Sequence, residues 1–219
     1  MIYVCVVIAL CTSLMCVHLA RSLRRSARHA ETLSARCREL ERTHEQLVNH
    51  AYFDHLTGLA NRSLLEDRFR LAVERTRRSQ VPFAVIMIDL NDFKGINDAM
   101  GHVAGDALLV EVSRRLVAAV RASDTVARFG GDEFVLIVES LAQGIEFGPI
   151  ALKLIDALSV PLTLPDGRQI QVGASVGFSV YPRDGEAMTD LLNVADRAMY
   201  DCKASGMMPL FQDSALLAA

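Results

Sequence analysis

The longest uninterrupted apolar run of the chain is its first. Residues 1–20 carry no charged side chain, and only Tyr3, Thr12, Ser13 and His18 are clearly polar. As a helix rising about 1.5 Å per residue, this run would be about 30 Å long, enough to cross the hydrocarbon core of a bilayer. Arg21, Arg24, Arg25 and Arg28 follow at once. A basic flank belongs on the cytoplasmic side, so the pattern predicts a single-pass anchor in the inner membrane with the remaining chain in the cytoplasm. A cleaved signal peptide is the competing reading. It calls for basic residues ahead of the apolar stretch, where here Met1 leads straight into Ile2, Tyr3 and Val4.

Beyond the anchor the rhythm becomes helical and largely charged. Apolar or small residues recur at Leu23, Ser26, Ala30, Leu33, Cys37, Leu40, His44, Leu47 and Ala51, steps of three and four that make a heptad seam. Ser26 and His44 weaken it, and Leu33, Leu40 and Leu47 carry its strength. The spacing predicts a helical stalk over residues 21–51, either paired with a second copy as a short parallel coiled coil or packed alone on its own domain.

From residue 52 the pattern is that of one domain, extending to residue 215, with no internal repeat. A turn at Thr57 and Gly58 precedes a helix over 64–77, for which Asn61 is the cap. The run 83–90 has the length and composition of a buried strand. A loop over 91–98 and a turn at Gly101 and His102 lead to a helix opening at Gly105 and Asp106, with Leu108, Leu109, Val112, Leu116 and Val120 inward. A hairpin follows, its apolar arms at 125–129 and 134–138 meeting at Gly130 and Gly131. A helix over 147–158, a strand over 169–181 and a helix over 188–203 complete the domain. The order β-α-β-β-α-β predicts an α+β, ferredoxin-like palm.

Composition adds limits. The chain is 51% hydrophobic with a net charge of −3, yet its first 50 residues hold seven Arg against four Glu, so the negative balance lies wholly in the domain. That sign argues against a nucleic-acid polymer as partner. Cys5, Cys11 and Cys16 fall in the apolar run, and Cys37 and Cys202 are isolated, so neither a disulfide framework nor a cysteine metal site is expected.

The candidate chemistry lies at the hairpin. Gly130 and Gly131 can take positive φ and let a ligand approach the backbone, and Asp132 and Glu133 stand at the edge of that opening. Paired hard oxygen ligands beside open backbone suit a divalent cation and a phosphorylated substrate. Asp89 is the second anomaly, because a carboxylate at the end of a buried strand is costly unless it is paired or bound to metal.

Several separated motifs together resemble the GGDEF family of diguanylate cyclases, over about three-quarters of the chain. They are the hairpin Arg128, Phe129, Gly130, Gly131, Asp132, Glu133 and Phe134; the opening block Asp54, Leu56, Thr57, Gly58, Leu59, Asn61 and Arg62; and the segment Asp89, Asn91, Phe93, Lys94, Asn97, Asp98, Gly101, His102, Gly105 and Asp106. Blocks from Ala174 to Gly185 and from Ala195 to Lys203 add to them. The resemblance implies a palm like that of cyclases and polymerases, acting as a homodimer in which each domain supplies one GTP half-site. It implies condensation of two GTP molecules into cyclic di-GMP, the 3′-hydroxyl of one attacking the α-phosphate of the other as pyrophosphate leaves. A silent GGDEF module that binds GTP or cyclic di-GMP and regulates through protein contacts is the alternative.

Carried over residue by residue, the resemblance implies two Mg²⁺ or Mn²⁺ ions per half-site, held by Asp89, Asp132 and the carbonyl of Leu90. Glu133 would support the metals or polarise the hydroxyl, and Asp132 is the family's proposed proton acceptor. Asn97 and Asp106 would hydrogen-bond the guanine edge, with His102 close by. Backbone amides around Asp92 to Lys94, the open backbone of Gly130 and Gly131, and the Lys203 ammonium would receive phosphates. Arg121 and Asp124 stand at the family's RxxD inhibitory position, implying that the product restrains the enzyme. Two departures matter: Met207 replaces the family's usual Arg and cannot grip a phosphate, and Asn91 replaces a frequent Asp beside the metal ligand.

Overall fold

The computed structural model describes residues 51–139, 147–163 and 167–205, with 14, 15, 18, 19 and a scattered set between 33 and 50. The chain divides into two units, residues 1–49 and 50–219. In the first, the described residues are helical, and Leu33, Leu40 and Leu47 are all exposed. The predicted anchor falls mostly outside the described residues, among which no helix is long and apolar enough to cross a membrane. Met207 also lies outside them.

The second unit is built on one antiparallel sheet. Its strands are β1 (Phe83–Leu90), β2 (Thr125–Gly130), β3 (Glu133–Val138) and β6 (Ala174–Tyr181), in the order β2-β3-β1-β6. Inserting β3 between β1 and β2, with β6 on the far side of β1, is the ferredoxin-like order expected. The predicted strand over 169–181 is two elements: a short β5 (Gln169–Ile170), which pairs with β4 (Leu162–Thr163) as a separate ribbon, and β6 itself.

Among the described residues this unit has five helices, α1 (Arg62–Ser79), α2 (Phe93–Met100), α3 (His102–Ala119), α4 (Phe147–Ser159) and α5 (Met188–Ser205). The segment read as a loop over 91–98 is largely helix α2, and α3 opens at His102 rather than at Gly105. Gly101, at φ +84° and ψ 157°, separates the two. The turn read at Gly101 and His102 thus marks the boundary between the two helices, and what the sequence did not show is that 93–100 is helical and that α3 begins at His102.

Alternation along the strands divides the core in two. Ala84, Ile86, Ile88 and Leu90 of β1 face α3 and α4, meeting Leu108, Leu109, Val112, Leu116 and Leu154. Phe83, Val85 and Met87 face α1 and α5, meeting Leu65, Phe69, Leu191, Ala195 and Met199. Phe83 stacks on Tyr181 at 4.9 Å between centroids, with Phe69 edge-on to Phe83 at 5.5 Å. The same alternation puts Asp89, two residues past Met87, on the α1/α5 face.

Candidate active site

Strand register assembles the acids. Asp89 pairs with Glu133 across the β1/β3 ladder and with Ser175 across the β1/β6 ladder. Like charges directly opposite on one face repel. Burial and the negative charges of Asp89, Asp132 and Asp196 accordingly hold the Glu133 carboxyl above its ordinary range. Asp132 lies in the hairpin turn, and its carbonyl accepts the Leu90 N–H at 3.3 Å, so the turn is tied to the end of β1.

Lys203, near the end of α5, reaches this cluster. Its Nζ donates to Asp89 Oδ1 at 2.7 Å, and that hydrogen bond, with the charges of Asp89 and Asp132, raises the ammonium above its usual pKa. The sequence reading assigns Lys203 to phosphate; in the free protein it is the counter-ion of Asp89. The half-buried Asp89 thus has the partner its position demands.

Among the described residues, no three His, Cys, Asp or Glu side chains converge as a formed metal site. The donor set nonetheless fits a hard divalent cation in its chemistry. Asp89, Asp132 and Glu133 are oxygen ligands, and the charges of the two aspartates add to burial in raising the Glu133 carboxyl. Neutralising that excess charge is what a bound cation does.

The hairpin tip is held from behind by the opening block. Arg128 donates through Nη1 to Asp54 Oδ1 at 3.1 Å, and through Nε and Nη2 to the Gly131 carbonyl at 3.0 and 2.8 Å. Burial raises the Asp54 carboxyl, but hydrogen bonds from the Thr57 side chain and backbone and from Arg128 outweigh it and leave the pKa lowered. The Arg62 guanidinium lies 4.9 Å from the Phe129 ring centroid, and Ala60 accepts the Arg128 N–H at 2.9 Å. Asn61 caps α1 as predicted, its side chain accepting from Leu64 N at 3.1 Å. Gly131 takes positive φ, +41°, whereas Gly130 does not and ends β2 opposite Glu133.

The predicted nucleotide contacts form a second group, on α2 and α3. A Cβ at Gly105 would collide with Asn97 Oδ1 and stand 3.2 Å from Phe93 Cζ, so Gly105 is what allows Asn97 to lie against α3. Asn97 is half-buried, while Lys94, His102 and Asp106 are exposed. Asp106, which the resemblance assigns to the guanine edge, is open to solvent. It borders a groove of about 420 Å³ whose walls include Leu56, Ala107, Val110 and Leu162. Asn91 Oδ1 accepts at 2.8 Å from the Oγ of Ser175, the residue that faces Asp89 across the β1/β6 ladder.

Arg121 and Asp124 stand before the hairpin as expected, but not as an ion pair. Asp124 accepts the backbone N–H of Arg121 at 2.9 Å and that of Glu139 at 3.2 Å, capping the turn and leaving the Arg121 side chain exposed. Sequence reasoning missed the Asp54–Arg128 pair and the contribution of Asp196. Only Arg128 signalled itself, as a charged residue inside an apolar strand.

Comparison with known proteins accords with this geometry. The family described as "Diguanylate cyclase, GGDEF domain" matches residues 51–209. The bifunctional diguanylate cyclase/cyclic di-GMP phosphodiesterase MucR of Pseudomonas aeruginosa is 42% identical over 167 residues, which are 76% of this chain and 24% of MucR. Diguanylate cyclase TpbB of the same species is 37% identical over 164 residues, 75% of this chain and 38% of TpbB. The chain thus spans well under half of either relative. Among solved structures, the TpbB GGDEF domain superposes with a TM-score of 0.65 at 38% identity, over 68% of this chain and 92% of that one. The coiled coil and GGDEF domain of DgcB from Caulobacter crescentus, in complex with c-di-GMP, gives 0.71 at 27% identity, over 83% and 95%.

Proposed function

The chain belongs to the GGDEF family of diguanylate cyclases, and on that premise we propose that its domain condenses two GTP molecules into cyclic di-GMP with release of pyrophosphate. The observation that carries this reading is the register that sets Glu133, next to Asp132, opposite Asp89. Like charges facing each other across a ladder destabilise a fold, and that cost serves a function if a cation and a polyphosphate arrive there.

In this reading Asp89, Asp132 and the Leu90 carbonyl would hold Mg²⁺ or Mn²⁺, which when bound lowers the pKa of the attacking hydroxyl and neutralises phosphate charge. Glu133 stands beside them as a further acceptor. Lys203 exchanges its carboxylate partner for phosphate, and Lys94 and the open backbone at Gly130 receive the remaining phosphate oxygens. Asn97 and Asp106 read the guanine edge. An acceptor facing the N1 and N2 donors of guanine leaves adenine unmatched, and discrimination follows because unpaired polar groups are costly once enclosed.

One domain supplies one half-site, so the reaction calls for two copies. The exposed Leu33, Leu40 and Leu47 supply a stripe for a paired stalk, and residues 1–20 an inner-membrane anchor, with the domain in the cytoplasm. Tethering of that kind raises effective concentration without new contacts at the site. The c-di-GMP complex of DgcB supports product binding, which we assign to Arg121 and Asp124.

Incubating the full chain with GTP and Mg²⁺ tests the reading. Cyclic di-GMP is expected, and Asp132→Ala is expected to abolish it. Nucleotide binding without turnover would favour a regulatory GGDEF module, the reading that Met207 supports.

A further inference from the structure

We infer that Gly177 is a positioning residue for the nucleotide site: it sets how deeply α5 seats on the sheet, and through that depth it places Lys203 on Asp89. The inference rests on the functional reading above, which makes the Lys203–Asp89 pair part of the site.

Gly177 lies in β6 directly opposite Met87 of β1, two residues before Asp89. It shares the α1/α5 face with Ser175 and Ser179 by strand alternation. A Cβ at this position would overlap the Ala195 carbonyl oxygen and the Met199 amide nitrogen and stand 2.8 Å from Met199 Cβ. The first two are backbone atoms in the middle of α5, so no rotamer change relieves the overlap; the helix itself has to move. Ala195 and Met199 are buried, and the next residue at helical spacing from Met199 is Lys203. The lysine therefore inherits any displacement of the helix, while Asp89 stays on the central strand. A 2.7 Å charge-assisted hydrogen bond tolerates little of it.

A second tie between the same elements separates packing from positioning. Ser179 Oγ donates to the Leu191 carbonyl at 2.8 Å, three turns N-terminal of Lys203. Losing it weakens the β6/α5 contact and leaves the depth at Gly177 unchanged.

The test uses the full chain and 3′-deoxy-GTP, which offers the same base and phosphates but lacks the attacking hydroxyl, so binding is read without turnover. Gly177→Ala is expected to weaken binding by about tenfold, the scale of one lost hydrogen bond to a charged group. Ser179→Ala is expected to lower the melting temperature and leave affinity within about twofold. In a Lys203→Ala background, Gly177→Ala should have no further effect, because its route runs through the lysine. A folded Gly177→Ala variant with native affinity overturns the inference, as does an equal loss in the Lys203→Ala background. Should Gly177→Ala not fold, Ala195→Ser adds one atom as a smaller wedge at a fully buried position of the α5 turn that Gly177 touches, and is read by the same cycle. Failure of the wild-type chain to bind 3′-deoxy-GTP overturns the functional reading instead. The positional claim is then judged from a crystal structure of whichever of the two wedge variants folds, where an unmoved Lys203–Asp89 pair overturns it.

Discussion

Arg128 and Asp54 stand 74 residues apart in sequence and meet in an ion pair of 3.1 Å, each side chain largely buried. The remaining donors of the same guanidinium hold the Gly131 carbonyl. The opening block of the domain is thereby fastened to the turn that carries Asp132.

Arg128→Ala is expected to cost about 2 kcal/mol of stability, the scale of hydrogen bonds to charged groups, and to lower turnover by one to two orders of magnitude, about what a misplaced catalytic group costs. Asp54→Asn should weaken both less, since it keeps one acceptor. The Asp54 pKa is lowered on folding, so its contribution is present above the ordinary value of 3.8 and is lost as pH falls through the lowered one. Urea unfolding of the two variants across that range checks both points.

Glu133 titrates in the other sense. Its folded pKa is raised above 4.5, so the native state holds the proton longer than the unfolded chain, and stability declines as pH rises through the folded value. Glu133→Gln should therefore stabilise the cation-free protein at neutral pH by about 0.5–1 kcal/mol, the scale of a like-charged cross-strand pair. Added Mg²⁺ should raise the melting temperature of the wild type more than that of the variant. Equal shifts would remove Glu133 from the cation site.

Glu111 supplies an internal contrast on α3. Hydrogen bonds from Arg114, and then from Arg115, outweigh burial and lower its pKa to about 2. Its contribution is complete above pH 4.5 and fades between there and about pH 2. Glu111→Gln should flatten the acid limb of the stability profile and leave cyclic di-GMP synthesis at neutral pH unchanged, which parallel unfolding and activity measurements resolve.

The two hairpin glycines should respond differently to alanine. Gly131 sits at φ +41°, where a Cβ is strained, and Gly131→Ala is expected to lose about 1 kcal/mol. At Gly130 φ is not positive, and the nearest atom to an added Cβ is Glu133 Oε2 at 3.9 Å. Gly130→Ala should keep its stability and lose affinity for GTP, because the methyl group occupies the open approach to the backbone. Thermal melts and GTP titrations of the pair distinguish strain from obstruction.

Arg121→Ala should relieve product inhibition without loss of initial rate, since the exposed side chain takes no part in holding the turn. Asp124→Ala should relieve inhibition and also lower the initial rate, because its carboxylate caps the backbone at Arg121 and Glu139. Initial rates with and without added cyclic di-GMP test the difference. Inhibition that persists in Arg121→Ala would refute the assignment.

Apolar runs located β1, β2 and β3 but blurred β6 into the ribbon before it; residues 83–90 are apolar apart from Asp89, as a central strand buried on both faces must be. The same logic singled out Asp89 and the Gly-Gly-Asp-Glu tip as residues too costly to sit there without a task. What periodicity could not show was that helix lies directly on both sides of the turn at Gly101. Nor could it pair Arg128 with Asp54, give Lys203 its partner, or foresee that Asp106 is exposed. Those depend on strand order, register and the seating depth of α5, which are properties of several segments at once. The sequence by itself determined which residues can do chemistry, since burial cost and side-chain type are local. Only the tertiary structure decided which of them meet, because each meeting is set by packing between segments distant in the chain, down to a single glycine under α5.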